Sequence, residues 1–120
     1  MSTNKIVYWI STALLCLLMC FSAGMYFIKN GEVQAEFIHL GFPIWIIYPL
    51  AIAKILAVIA ILTRASKTLL EWAYAGMFFD MLLAAGAHIS IGDGGQTAAI
   101  IGAVLLLVSY VFKAKAFPSR

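Results

Sequence analysis

Lys54 and Asp80 each interrupt an otherwise apolar run, and a short basic turn, residues 64–68, joins the two runs. Counted outward from Ser66 and Lys67, they lie almost the same number of positions away. If both runs cross a membrane as helices, an ammonium and a carboxylate meet at one depth, near the bilayer midplane. An ionisable group there costs on the order of 2.5–3.5 kcal/mol on insertion scales, so an unpaired one is disfavoured. Two uses follow. The pair is a buried ion pair that fixes helix register, or it holds a proton or polarises a bound polar group.

The neighbouring residues suit either use. Gly76, Asp80, Ala84 and Ala87 share one helical face, with room for a close neighbour bearing a lysine, and Ala53 and Ala57 flank Lys54. His88 lies two turns beyond Asp80, roughly 12 Å along the axis. It reads as an interfacial, hydrogen-bonded residue. On the sharper reading it stands with His39 or Glu36 at the mouth of an outward-opening apolar cavity, with Lys54 and Asp80 at the base. The charge on His88 would then depend on Glu36, making ligand binding sensitive to pH near neutrality. With two histidines and no clustered carboxylates, no metal site is expected. Neither flanking sequence argues for a haem held by His39 and His88. The run Gly92-Asp93-Gly94-Gly95 lacks the lysine and hydroxyl of a phosphate-binding loop, so it is a turn. No catalytic residue is assigned.

The elements that position these groups follow from composition. The chain has 120 residues, 64% of them hydrophobic and 11% charged, with mean hydropathy +1.02. A soluble domain carries about 25% charged residues, so the solvent of this surface is lipid. The net charge of +3 is spread along the chain in ones and twos, which excludes a nucleic-acid footprint. Four apolar segments, approximately 7–28, 43–63, 69–89 and 97–112, approach the roughly 17–25 residues needed to cross a bilayer. None alternates as a barrel strand would. The expected fold is all-α: an integral membrane four-helix bundle occupying residues 1–120 as one domain. The first segment reads as a retained helix, because its apolar run outlasts a signal-peptide core.

Between the first two segments, residues 29–43 read as a short amphipathic helix with Asn30 as N-cap and Gly41 as the stop. Val33, Phe37 and Leu40 face the bundle or lipid, while Glu36 and His39 share the polar side. Lys5, Arg64, Lys67, Lys113, Lys115 and Arg120 fall on one side of the membrane and Lys29 alone on the other. That bias places both termini in the cytoplasm and the short helix on the outer face. Thr12, Cys16, Cys20 and Gly24 form a four-residue stripe of small residues for helix packing. The cysteines are read as packing groups, being poorly placed for a disulfide and buried where thiolate is disfavoured. Tyr8, Trp9, Trp45, Tyr48, Trp72 and Tyr74 are expected in interfacial belts.

The segments FSAGMYF (21–27), EFIHLGFP (36–43), YPLAIAKIL (48–56), EWAYAGMFFDMLLA (71–84) and AHISIGDG (87–94) together resemble the DoxX-like family of small four-helix membrane proteins. The resemblance runs over nearly the whole chain and implies a compact bundle in a bacterial inner membrane. It also implies association with redox machinery, since named relatives include the membrane subunit of an archaeal thiosulfate:quinone oxidoreductase. A more distant animal branch acts as an assembly chaperone for nicotinic receptors. Two functions are carried forward. One is a membrane subunit of a redox or detoxification system that binds a quinone or other lipophilic molecule. The other is a non-enzymatic assembly factor or chaperone that pairs with another protein's helices. The partners envisaged are the lipid bilayer, a membrane or redox protein, or further copies of the chain. A transport path would require such a homo-oligomer.

Overall fold

The computed structural model describes residues 2–117, so Arg120, counted above in the charge bias, lies outside the described residues. The described chain is helical throughout, with α1 at Thr3–Ile28, α2 at Asn30–Leu40, α3 at Ile47–Thr63, α4 at Lys67–Ile91 and α5 at Gln96–Ala116. A short 3-10 turn, Ile44–Ile46, leads into α3. With that turn included, all four long helices have the length and apolar composition to cross a membrane. In hydrocarbon every backbone N–H and C=O must be satisfied within the segment, which is why long apolar runs become helices there.

The helix ends follow ordinary capping chemistry. The Ser2 and Ser66 hydroxyls accept from the amides of Lys5 and Leu69, capping α1 and α4. Gly41 and Gly92 close α2 and α4 with φ of 87° and 67°, a left-handed region in which glycine carries no steric cost. Pro49 lies in the first turn of α3, where its missing N–H has no intrahelical partner to lose. Both α4 and α5 run past the expected apolar limits because their ends are polar yet still capped or paired.

The bundle is a square of antiparallel neighbours. α1 packs between α3 and α5, and α4 closes the ring on the opposite side, with α3–α4 the loosest seam. Its long dimension of 44 Å is close to the 40–45 Å of a bilayer with its headgroup regions. The core is built by Leu15, Cys16 and Met19 of α1, Val58 and Ile61 of α3, Leu70, Tyr74 and Met77 of α4, and Leu106 of α5. Large side chains such as Leu17, Phe21, Leu56, Phe79 and Ile101 point outward, as lipid-facing residues do. At one end the start of α1 and the end of α5 come together, where Lys5 and Tyr8 meet Phe117. At the other, α2 is seated by Val33 and Phe37 packed on Ile47, Tyr26 and Leu50.

Several expectations change in three dimensions. Asn30 is the first residue of α2 rather than its cap; its amide donates to the Tyr26 carbonyl at 2.9 Å and its oxygen accepts from Gln34 at 2.6 Å, splicing α2 onto α1. The four-residue stripe on α1 does not stay on one face. Thr12 and Cys16 are buried, but Cys20 is exposed, because each four-residue step advances about 40° around a helix of 3.6 residues per turn. Tyr8 and Tyr74 leave the expected belt and are fully buried. Their hydroxyls find partners inside: Tyr74 shares a 2.6 Å hydrogen bond with Ser109, which shares another with Thr12, and Tyr8 accepts from Arg64. Lys113, one residue past the expected end of the last apolar segment, is a buried residue of α5 that donates to Glu71 at 2.9 Å.

Candidate functional site

The site is assembled around Lys54, which α3 carries into the interior on the same face as Ala51 and Val58. Its side chain is 8% exposed. The ammonium donates to Ser22 Oγ at 2.7 Å and to Tyr26 OH at 2.9 Å, both on α1. It also lies 4.1 Å from the centre of the Tyr26 ring, in cation–π range. Ser22 and Tyr26 are one helical turn apart and therefore share a face. Asp80 on α4 is more distant, with Oδ2 at 4.0 Å from Lys54 Nζ. Its carboxylate accepts no hydrogen bond among the described residues.

The tightest partners of Lys54 are thus two α1 hydroxyls absent from the sequence-level site. The signal for them was a Ser and a Tyr four apart in an apolar run. It carried no weight without knowing that α3 packs against α1 as well as α4. Gly76, placed by sequence on a tight face beside Asp80, is instead exposed, and nothing lies within 4 Å of where its side chain would begin.

A second polar cluster stands at the α2 end. His88 Nδ1 lies 2.9 and 3.0 Å from the two oxygens of Asp93. Asp93 Oδ1 also accepts from the Gly95 amide at 2.8 Å. This arrangement holds the imidazole ring over Gly95, where any Cβ would run into it. On the far side of the ring, His88 Nε2 is 3.7 Å from Glu36 Oε1 of α2. The Asp93 carboxyl is held below its ordinary range, first by the Gly95 N–H and then by His88, with a smaller contribution from His39. His39 itself stays on the exposed side of α2.

Two cavities meet at Asp80. The first, about 300 Å³, lies beneath α2 between Ser22, Tyr26, Phe37, Asp80 and His88, with Glu36 at its edge. His39 does not line it, and Lys54 borders it only through Ser22 and Tyr26. The second, about 640 Å³, runs along the α3–α4 seam from Lys54 and Asp80 to Ser66. Both have mostly apolar walls with a few convergent polar groups, the usual form of a small-molecule site. Among the described residues no group of three or more His, Cys, Asp or Glu is placed to hold a metal ion.

Compared with known proteins, the chain matches the sequence model of the DoxX-like family over residues 10–112. No curated protein and no solved structure matches it.

The geometry of Lys54 and Asp80 predicts non-additive energetics. Removing one member of a buried pair leaves an uncompensated charge, at about 3–5 kcal/mol, whereas removing both is close to neutral. Thermal unfolding in detergent should therefore show Lys54→Met and Asp80→Leu each losing more stability than the double variant, with Lys54→Met the worse. Additive losses would show that the two groups do not interact.

The Asp93 clamp predicts an acid-side transition. Because its carboxyl titrates lower in the folded protein, its contribution is present above the ordinary Asp value of about 3.9 and is lost as pH falls through the depressed one. The Gly95 amide resonance, followed by NMR in detergent, should shift with an inflection below that ordinary value and lose it in Asp93→Asn. An inflection at or above it would contradict the clamp.

Proposed function

The chain belongs to the DoxX-like family, and from that premise we propose that it binds a quinone or other lipophilic molecule as the membrane subunit of a redox or detoxification system. The observation that carries this reading is the convergence of Asp80 and His88 on an apolar cavity of about 300 Å³ roofed by α2. Phe37 and Leu40 supply apolar contact for a flat ring. Asp80 at the base can accept from a hydroxyl of the reduced, quinol form of such a head, and the imidazole at the mouth supplies a hydrogen-bonding group at the other end of the space. Lys54 acts from behind, holding Ser22 and Tyr26 in the wall. The same reading places the protein in a bacterial inner membrane with both termini cytoplasmic and α2 outside. In that orientation the cavity faces the outer leaflet, with α2 excluding water from its contents.

A second reading, a non-enzymatic assembly factor, draws on the exposed small residues Ala53 and Gly76 beside the loose α3–α4 seam. Small residues let another helix approach closely in lipid. A stoichiometric protein partner on gentle purification would favour it, and a small molecule at a defined ratio the first.

Binding is tested by titrating a quinone analogue against wild type, His88→Ala and Lys54→Met in nanodiscs. Loss of a hydrogen-bonding group of this kind is worth about 1–3 kcal/mol, so His88→Ala should bind several-fold to about a hundredfold more weakly. Lys54→Met, which releases Ser22 and Tyr26 in the cavity wall, should also bind more weakly than wild type. Equal binding by all three, or none by wild type, would remove these residues from a quinone site. Topology is tested in a background lacking Cys16 and Cys20. An impermeant maleimide should label Gln34→Cys in intact cells but label Ala65→Cys only after the membrane is opened. The reverse pattern would invert the orientation.

A further inference from the structure

We propose that the groove along the α3–α4 seam seats the hydrocarbon tail of the same amphiphile whose polar head occupies the cavity beneath α2, so that Asp80 marks the junction of head and tail. This rests on the binding reading above and extends it to a ligand class: a ring-type head carrying one long linear chain, alkyl or prenyl.

Four observations support the assignment. The groove and the head cavity share Asp80 and Leu50, so they are contiguous at the polar group. The groove is the larger of the two, about 640 Å³ against about 300 Å³. From Asp80 it descends to Leu69, a run of roughly 16 Å at the rise of an α-helix. Its rims, Leu56 and Trp72, are exposed apolar side chains, so a chain lying there is continuous with the surrounding lipid.

Polarity fixes which way round the ligand lies. At the far end of the groove the hydroxyls are already engaged: Thr63 donates to the Ile59 carbonyl at 2.8 Å and Ser66 caps α4 through the Leu69 amide. At the near end the Asp80 carboxylate accepts no hydrogen bond among the described residues. A head with a hydroxyl to donate, as in a quinol, therefore belongs at Asp80 and the tail toward Ser66.

Gly76 forms part of the groove wall. Glycine inside a helix costs about 1 kcal/mol relative to alanine and is normally retained for close packing. No atom lies within 4 Å of its missing Cβ, which is equally true of the helical Gly24, Gly31 and Gly86, but of these four only Gly76 borders the groove. The space that its missing side chain leaves open is the space assigned to the tail.

The test uses two quinones of identical head, kept in the reduced quinol form, one with a methyl substituent and one with a decyl chain, and compares each variant with wild type at fixed tail, which cancels membrane partitioning. Gly76→Phe, and Ala57→Leu on the opposite wall, should weaken the decyl compound by about tenfold or more and leave the methyl compound within about twofold. Ala75→Phe, exposed on the same helix but outside the groove, should change neither. Equal weakening of both compounds, or no effect on either, overturns the proposal. A photoreactive long-chain alcohol separates this failure from failure of the quinone reading. If no quinone binds but the alcohol labels residues 69–80 in wild type and not in Gly76→Phe, the tail seat stands and the quinone head falls. Labelling spread over all four long helices, as bulk lipid would give, or an unlabelled groove filled by a co-purifying protein helix, overturns the tail seat.

Discussion

A buried ammonium organises this bundle. Lys54 is deep in the apolar interior, where its charge cannot be left without partners. The protein supplies Ser22 and Tyr26 from α1 and the Asp80 carboxylate from α4. One side chain on α3 thereby sets the height of two other helices. A slip of α1 by one residue would carry both hydroxyls about 100° around the helix and away from Lys54.

The same logic recurs at the other seams, because lipid tails are as apolar as leucine and give helices no hydrophobic reason to associate. Ser109 joins α5 to α1 through Thr12 and to α4 through Tyr74, with both bonds at 2.6 Å. Glu71 ties α4 to α5 again, accepting from Tyr110 and from the buried ammonium of Lys113. Arg64, at the end of α3, donates to Tyr8 of α1 and lies over the Phe117 ring at 4.1 Å. Every seam of the square thus carries a polar stitch. The α3–α4 seam carries the weakest, a single 4.0 Å contact, and it is along this seam that the large groove opens.

α2 is bound differently. It has an apolar seat on Ile47, Tyr26 and Leu50, while its polar side reaches His88 only through the 3.7 Å approach of Glu36. Its hinges are also distinct: Asn30 continues the hydrogen-bonding of α1, whereas Gly41 in a left-handed turn stops the helix before Pro43. The roof of the cavity is therefore held by packing at its base and by one long polar contact, 3.7 Å, at its free edge. The wall opposite, the His88–Asp93–Gly95 turn, is fastened more tightly, by a bifurcated contact of His88 Nδ1 with both Asp93 oxygens and by the Gly95 amide.

Much of this architecture is a consequence of composition alone. Four apolar lengths in a chain with few charges determine four membrane-crossing helices, since a backbone in lipid has no other way to satisfy itself over such runs. Gly41 and Gly92 were readable as stops for the same local reason. The depth match of Lys54 and Asp80 was also legible, because helical rise converts residue number into height. Height is only one coordinate, however. Which helix faces which, and at what rotation, depends on summed contacts between segments distant in sequence. That is why Ser22 and Tyr26 emerged as the partners of Lys54 and why His39 stayed outside the cavity. It is also why Lys113 and Glu71, each ordinary at a segment end, became a pair in which the lysine is buried and the carboxylate half-exposed. Local chemistry decided the helices and their depth; the side-by-side arrangement that makes a site belonged to tertiary packing, because neighbours across a seam leave no periodic mark in either strand of sequence.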